Sequence, residues 1–454
     1  MQLVRRLHTA RMAAFPLALG LIGVLVSGTL NRVMIVELAM PASLVGLLFA
    51  VPFLLAPARM WLGYRSDGYP LLGLRREPYI LIGAALAALG VVAATLLALA
   101  TTSLTVLLVL ALLLAFATYG VGKNLASNTF EALIADRFEG HARSRAITLF
   151  KIPMFAGIIG GALLLGRLLE PFTAGRLAVI VLAVGALMGI LSALAALRQE
   201  PRSAGLRVVS QQARRTPFWQ VFRTVIWQDP QARRFFIFVM LCIIGTQAQD
   251  VLLEPYGALV LGMSVSQTTR LTSLWGTGAI LAMALAGGWL VTRFGYRRVL
   301  NSGLLLNVAV FGGIVGAGLV GQAGLFRGLV LVLGVGTGLA FSGALAAVID
   351  FTTTLRAGFL MGVWGVASEL GEAVGNLLGG TIVDVIRGLT GGNALAAYGT
   401  VFVLEGILLL LAVLLLTRID IQQSVALTEA VRLGQGAVEQ AEPPESPAPL
   451  PELA

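Results

Sequence analysis

Runs of apolar residues long enough to cross a bilayer as helices recur along this 454-residue chain. Because a backbone in hydrocarbon must satisfy its own hydrogen bonds, repeated runs of this length predict an all-α integral membrane protein. We number twelve candidate spans in chain order, at residues 14–36, 42–62, 79–100, 104–127, 148–168, 177–197, 234–257, 271–292, 298–320, 326–349, 357–383 and 395–417.

The composition excludes the usual soluble classes. The chain is 57% hydrophobic and 12% charged, whereas a soluble domain is about a quarter charged. Its net charge of +10 does not indicate nucleic-acid binding, since the arginines form short clusters between the apolar runs. Such clusters are topology signals, and they lie mostly on the side that holds both chain ends. We therefore expect both termini in the cytoplasm.

The longest internal connection divides the chain into six spans plus six. The predicted organisation is a basic interfacial segment at 1–13, an N-terminal half at 14–197, a cytoplasmic central loop at 198–233, a C-terminal half at 234–417 and a cytoplasmic tail at 418–454. The tail is rich in Pro and Glu from about residue 439, so we expect disorder there. The aromatic and basic stretch 217–227 in the central loop favours an interfacial helix over a partner-binding motif.

The two halves also share a sequence pattern. Gly120, Gly122 and Asp136 recur 214 residues later as Gly334, Gly336 and Asp350, and Gly157 and Gly161 recur as Gly371 and Gly375. Small residues four apart let helices approach closely. The repeat predicts two fused, parallel halves, which is a transporter architecture.

Two equivalent loops carry a glycine and arginine motif. Spans 2 and 3 are linked through Gly63, Asp67, Arg75 and Arg76, and spans 8 and 9 through Gly288, Arg293, Gly295 and Arg297. Both loops resemble the Gly-xxx-Asp-Arg-x-Gly-Arg-Arg signature of the major facilitator superfamily, which implies that fold for the twelve spans. Gly68 and Thr292 replace the expected Arg and Asp, which weakens the hypothesis of an ion-pair gate in these loops.

Several polar and charged side chains fall within the predicted spans, where they are costly and usually face a cavity or each other. The candidates for binding a substrate or pigment are Asn31, Arg32, Glu37, Lys123, Asn124, Asp250, Glu254, Glu369 and Glu372. Structural ion pairs between helices are the alternative for any single residue, but the group as a whole favours a functional site.

Helical spacing orients some of these residues. Asp250 and Glu254 share one helix face, as do Glu369 and Glu372, since three or four residues make about one turn. Arg32 and Glu37 are five apart and diverge by about 140° on an α-helix, so each should seek a partner on another helix. Arg32 lies at a depth similar to that of Asp250, which suggests a pair across the cavity. Glu405, alone in span 12, marks either a protein contact or a protonated acid.

The sequence lacks common motifs for catalysis, metal binding and phosphate binding. The two histidines, His8 and His141, are peripheral, and Cys242 is the one cysteine. These residues make no Ser-His-Asp set and no metal spacing, and no phosphate-binding loop with Lys-Ser/Thr follows a glycine-rich run. We expect neither an enzyme nor a permanently bound cofactor or metal.

Three stretches near the N-terminus carry a more specific resemblance. They are 30–38 with its Asn-Arg-Val-Met-Ile-Val-Glu run, 56–67 with Arg-Ser-Asp, and 74–80 with Leu-Arg-Arg-Glu-Pro-Tyr-Ile. They resemble the bacteriochlorophyll-delivery family, the PucC and LhaA proteins, and the likeness extends over most of residues 10–418.

The resemblance implies a bacterial cytoplasmic (inner or intracytoplasmic) membrane protein that assembles light-harvesting antenna complexes and holds bacteriochlorophyll transiently. The implied partners are the antenna α and β polypeptides, bacteriochlorophyll synthase, the membrane-insertion machinery and lipid, with no nucleic acid. No intramembrane His is present to ligate the pigment's magnesium, so the candidate ligands are Asn31, Asn124, Asn128, Gln247, Gln249 and Glu372. An ion-coupled transporter of a small anionic or polar metabolite and a scaffold with a collapsed cavity remain as alternatives.

Overall fold

The computed structural model describes most of the predicted membrane region. The residues described are 10–55, 71, 74–100, 103–138, 140–199, 230–247, 249–351 and 357–418. The predicted interfacial helix at 217–227, the tail in which we expect disorder, and loop residues Gly63 and Asp67 lie outside them. Within the helices, the side chains of Gln247 and Asp250 are also outside the described part.

Each predicted span contains described helix, although residues 56–62 of span 2 lie outside the described part. The α-helices are Ala14–Leu25, Ala42–Leu54, Glu77–Leu99, Val106–Arg137, Gly140–Leu168, Ala174–Ala196, Pro230–Gln247, Gln249–Leu259, Val265–Thr269, Leu271–Leu285, Val291–Phe294, Tyr296–Val320, Ala323–Phe351, Ala357–Leu389 and Ala394–Thr417. Three π-helical segments, Val26–Leu30, Val33–Glu37 and Ala286–Leu290, interrupt spans 1 and 8.

The outer surface of the helices is apolar. Leu107 is 78% exposed, Val179 68% and Ile190 65%, although a water-soluble protein would cover such side chains. Among the described residues, nine helices are long and apolar enough to cross a membrane, and the helix Ala42–Leu54 is apolar but shorter. The chain is therefore a multi-pass membrane protein, and the full count of twelve crossings stays a prediction.

Glycine contacts confirm the internal repeat in three dimensions. A Cβ on Gly120 would meet Pro52 of span 2, and a Cβ on its repeat mate Gly334 would meet Trp275 of span 8. Gly157 packs against the backbone of Leu17 in span 1. A Cβ on its mate Gly371 would lie 2.8 Å from the Ile243 side chain in span 7. Equivalent glycines thus pack equivalent helix pairs in the two halves.

The two halves meet mainly through spans 2 and 11 and through spans 5 and 8. Span 2 contains Pro52 near the end of its described helix, and the Pro52 carbonyl accepts a hydrogen bond from Asn124 in span 4 at 3.2 Å. Arg11 donates to the carbonyls of Leu194 and Leu197 and so caps the end of span 6. This contact fixes the start of span 1 against its own half.

Candidate functional site

The π-helical segment of span 1 places Arg32 beside Glu37. A π-helix bonds residues five apart, so it turns Glu37 back to the side of Arg32, and the two form an ion pair. The expectation that they diverge was wrong because it assumed α-helical spacing. Arg32 is 4% exposed and also donates to the Met263 carbonyl at 3.4 Å. Its pairing with Asp250 stays a prediction, since the Asp250 side chain is not described.

Glu254 of span 7 joins the two halves through hydrogen bonds. Its Oε2 accepts from Asn31 Nδ2 of span 1 at 3.2 Å, and its Oε1 accepts from the Thr272 hydroxyl of span 8 at the same distance. Asn31 is fully buried, and Glu254 is 5% exposed. The hydroxyls of Thr29 and Thr269 meet one turn away at 3.2 Å. We call Thr29, Asn31, Glu254, Thr269 and Thr272 the polar junction.

Lys123 and Asn124 lie against Phe53 and Pro52 near the end of the helix Ala42–Leu54 in span 2. The Lys123 ammonium lies 4.8 Å from the centre of the Phe53 ring, which suits a cation–π contact. Lys123 is half-buried and Asn124 is buried. The structure thus divides the predicted site residues between at least two groups.

The predicted acids of spans 11 and 12 have different surroundings. Glu369 and Glu372 are half-buried, about two turns and one turn before Asn376, which is buried. Glu405 is 2% exposed, and its Oε1 accepts from the backbone N–H of Gln249 at 2.9 Å. The sequence left two interpretations of Glu405, a protein contact or a protonated acid. The structure shows a contact of Glu405 with Gln249 within this protein.

A second set of contacts between the halves was missed in the sequence. We define the distal end of the bundle as the end at which span 1 finishes and span 2 begins. There the Asp384 carboxylate of span 11 accepts from the backbone N–H groups of Ala42 and Ser43, at 3.1 and 2.7 Å. Glu170 also pairs with Arg270 at 3.3 Å. No local sequence pattern predicts these contacts of Asp384 and Glu170, because the sequence does not show which span ends lie close together.

The first loop motif makes its ion pairs within the N-terminal half. Arg76 Nε lies 2.9 Å from the Asp136 carboxylate, and Arg75 lies 3.9 Å from it. The adjacent Glu77 accepts from the backbone N–H groups of Arg198 and Gln199, at 3.0 and 2.7 Å. These contacts bind spans 3, 4 and 6 together at the end of the bundle opposite to the distal end.

The second loop motif has other contacts. Gly288 lies in a π-helical segment, and Gly295 has a φ of 81°, a turn conformation that favours glycine. Arg293 lies over Trp289 and Phe294, 5.1 and 5.6 Å from the ring centres, while Arg297 donates to the Tyr296 hydroxyl at 3.2 Å. The described contacts of Arg293 are those of an interfacial aromatic belt.

Comparison with known sequences matches residues 29–424 to a family described as PUCC protein. The chain is 30% identical to Protein PucC of Rhodobacter capsulatus over 426 residues, which cover 89% of this chain and 90% of that protein. It is 31% identical to a Rhodobacter capsulatus protein named bacteriochlorophyll synthase 44.5 kDa chain, over 94% of this chain and 99% of the relative.

Comparison with solved structures gives the fold. A bacterial homologue of the lysosomal transporter Spinster, inward-facing and unoccupied, matches with a TM-score of 0.69 and 16% identity, over 90% of this chain and 96% of that one. The nucleoside transporter NupG matches with a TM-score of 0.67 and 13% identity, over 91% and 98%. The chain therefore has the all-α fold of major facilitator transporters.

Proposed function

Because this chain belongs to the PucC family, we propose that it is an assembly factor for bacterial light-harvesting antenna complexes, which delivers bacteriochlorophyll to the antenna polypeptides in the membrane. The observation that carries the proposal is the family match over residues 29–424, nearly the whole membrane region. The same family supports a place in the bacterial cytoplasmic (inner or intracytoplasmic) membrane, with both termini cytoplasmic. The antenna α and β polypeptides, bacteriochlorophyll synthase and the membrane-insertion machinery are the partners we propose.

We also propose that the chain assists pigment handling without catalysis, although one relative is named as a chain of bacteriochlorophyll synthase. The sequence has only two histidines, His8 and His141, and both lie outside the predicted spans. Bacteriochlorophyll synthase, one of the proposed partners, would then be a separate protein that supplies the pigment.

Three of the candidate magnesium ligands, Asn31, Asn124 and Gln249, are buried in the structure. The amide nitrogens of Asn31 and Asn124 donate to Glu254 and to the Pro52 carbonyl. Gln249 is 2% exposed, and its Oε1 is buried without a hydrogen-bond partner among the described residues. That oxygen suits magnesium chemically, but a chlorin cannot reach it while spans 7 and 12 are packed. The described surroundings of these three residues therefore favour weak, transient holding of pigment over permanent ligation.

Ion-coupled transport of a small polar metabolite is the second candidate function. The observation that favours it is Glu254, a carboxyl group buried between the halves of a major facilitator fold and bonded to Asn31 and Thr272. Protonation of such a group changes its hydrogen bonds and can be coupled to movement of the halves. A scaffold without a cargo is the third reading.

A clean deletion strain tests the assembly proposal. We expect the absorption of one antenna complex to fall while pigment synthesis continues, and the full-length chain supplied in trans to restore it. Antenna absorption that is unchanged by the deletion would contradict the proposal. The absorption spectrum of the protein purified from its native membrane separates the alternatives, since retained bacteriochlorophyll supports delivery. Proton-dependent uptake of a metabolite by vesicles supports transport. The absence of both retained pigment and uptake supports the scaffold.

A further inference from the structure

We propose that Asp384 is a releasable latch that holds the distal ends of the two halves together. Its two carboxylate oxygens each accept one backbone N–H, from Ala42 at 3.1 Å and from Ser43 at 2.7 Å. These donors begin span 2 of the N-terminal half, whereas Asp384 belongs to span 11 of the C-terminal half. The latch is independent of which cargo the protein handles.

The start of span 2 depends on this contact for its cap. The first N–H groups of a helix have no partner within the helix, and a residue such as Ser or Asp at the N-cap usually accepts from them. Here the N-cap is Pro41, which makes no side-chain hydrogen bond. Asp384 supplies both the missing acceptor and a negative charge at the positive end of the helix dipole. The cap of one half is thus provided by the other.

Two glycines bring the spans close enough for this contact. A Cβ on Gly380 would lie 2.1 Å from the Ala42 carbonyl oxygen, and a Cβ on Gly46 would lie 2.3 Å from the Asn376 carbonyl oxygen. Both positions admit only a residue without a side chain, because the obstacle is backbone. Spans 2 and 11 therefore meet backbone to backbone, which fixes Asp384 in register with the first turn of span 2.

Other contacts also cross between the halves at this end, from Arg32 to the Met263 carbonyl at 3.4 Å and from Ser266 and Arg270 to Glu170 at 2.9 and 3.3 Å. The Arg270 and Glu170 side chains are 41% and 63% exposed, and exposed pairs contribute little. The ion pair of Arg32 with Glu37 lies within span 1 and persists when the halves part. Water can solvate both Asp384 and the helix start after separation, so the latch can release without leaving a buried charge unpaired.

Spin-label distances in the full-length protein test the proposal. With Cys242, the one cysteine, replaced by Ala, exposed positions Ser103 and Gln322 are changed to Cys to report on the distal end. We expect Asp384→Asn to raise the ratio of long to short distal distances by roughly threefold to thirtyfold, because asparagine keeps one acceptor oxygen but loses the second acceptor and the negative charge. A second pair, at Leu197 and Arg298, reports on the opposite end and should shorten.

Glu77→Gln is the matched control. Glu77 also accepts two backbone N–H groups, but from Arg198 and Gln199 at the end of span 6, so its loss should leave the distal distances unchanged. An unchanged distribution in Asp384→Asn, or an equal shift in Glu77→Gln, would overturn the proposal. If Asp384→Asn does not fold, Ala42→Pro removes one donor from the other side, since proline is accepted at the first helical position. Unchanged distal distances in Ala42→Pro would overturn the proposal equally.

Discussion

The Arg32–Glu37 ion pair joins a buried cation to a partly exposed anion, so the two charges should not contribute equally to stability. Arg32 is 4% exposed, whereas the Glu37 side chain is 35% exposed. Glu37→Gln leaves a buried guanidinium without its anion and should cost about 1–3 kcal/mol, less than a fully buried pair because water reaches Glu37. Arg32→Gln leaves a carboxylate that water can solvate, and we expect a smaller loss. The thermal midpoint of the purified protein measures both.

A double-mutant cycle isolates the interaction between these two residues. The double variant Arg32→Gln/Glu37→Gln should lose less free energy of unfolding than the sum of the two single losses, by about 1 kcal/mol. Arg327→Gln, at an exposed position of span 10, serves as the control and should leave the midpoint unchanged. Additive losses would show that Arg32 and Glu37 are not coupled, and the pair across the cavity with Asp250 would become the better hypothesis.

At the scale of elements, two glycines of span 5 should respond in opposite ways to the same substitution. A Cβ on Gly157 would lie 2.2 Å from the Leu17 carbonyl oxygen, whereas a Cβ on Gly160 meets nothing within 4 Å. Gly157→Ala must push spans 1 and 5 apart and should cost about 1–3 kcal/mol. Gly160→Ala should stabilise the helix by up to about 1 kcal/mol through its higher helix propensity. Thermal midpoints that move together would contradict this packing.

These helices show which parts of the structure could be predicted from the sequence. Long apolar runs predicted where the helices lie, and the glycines at 157 and 161 predicted a helix contact, because hydropathy and small-residue spacing act locally. The ion pair of Arg32 with Glu37 was missed because an α-helical period was assumed where the chain forms a π-helix. The bond from Asp384 to Ala42 was missed because it joins residues 342 apart, a tertiary contact that no local pattern encodes.

For the whole molecule, the repeat accounts for the arrangement of the halves, and the contacts between them account for its asymmetry. Equivalent glycines pack spans 2 with 4 and 8 with 10. The polar junction forms between the halves, where span 1 of one half meets spans 7 and 8 of the other. Of the predicted site residues, Asn31 and Glu254 thus lie where the two halves face each other, whereas Lys123 and Asn124 contact span 2 within the N-terminal half.

The distribution of arginines predicts the orientation of the molecule in the membrane. Arginines are concentrated on the side of both termini, so that side should be cytoplasmic by the positive-inside bias. Gly324 follows the short link between spans 9 and 10, at the distal end, and a Cβ there meets nothing within 4 Å, so an insertion should be tolerated. Reporter fusions at Ala454 and at Gly324 should therefore report opposite compartments, the cytoplasm and the periplasm. A fusion at Gly175, in the first turn of span 6 at the distal end, is the control and should agree with Gly324. The same compartment at Ala454 and Gly324 would contradict the three crossings predicted between them, and the reversed pair of compartments would contradict the orientation.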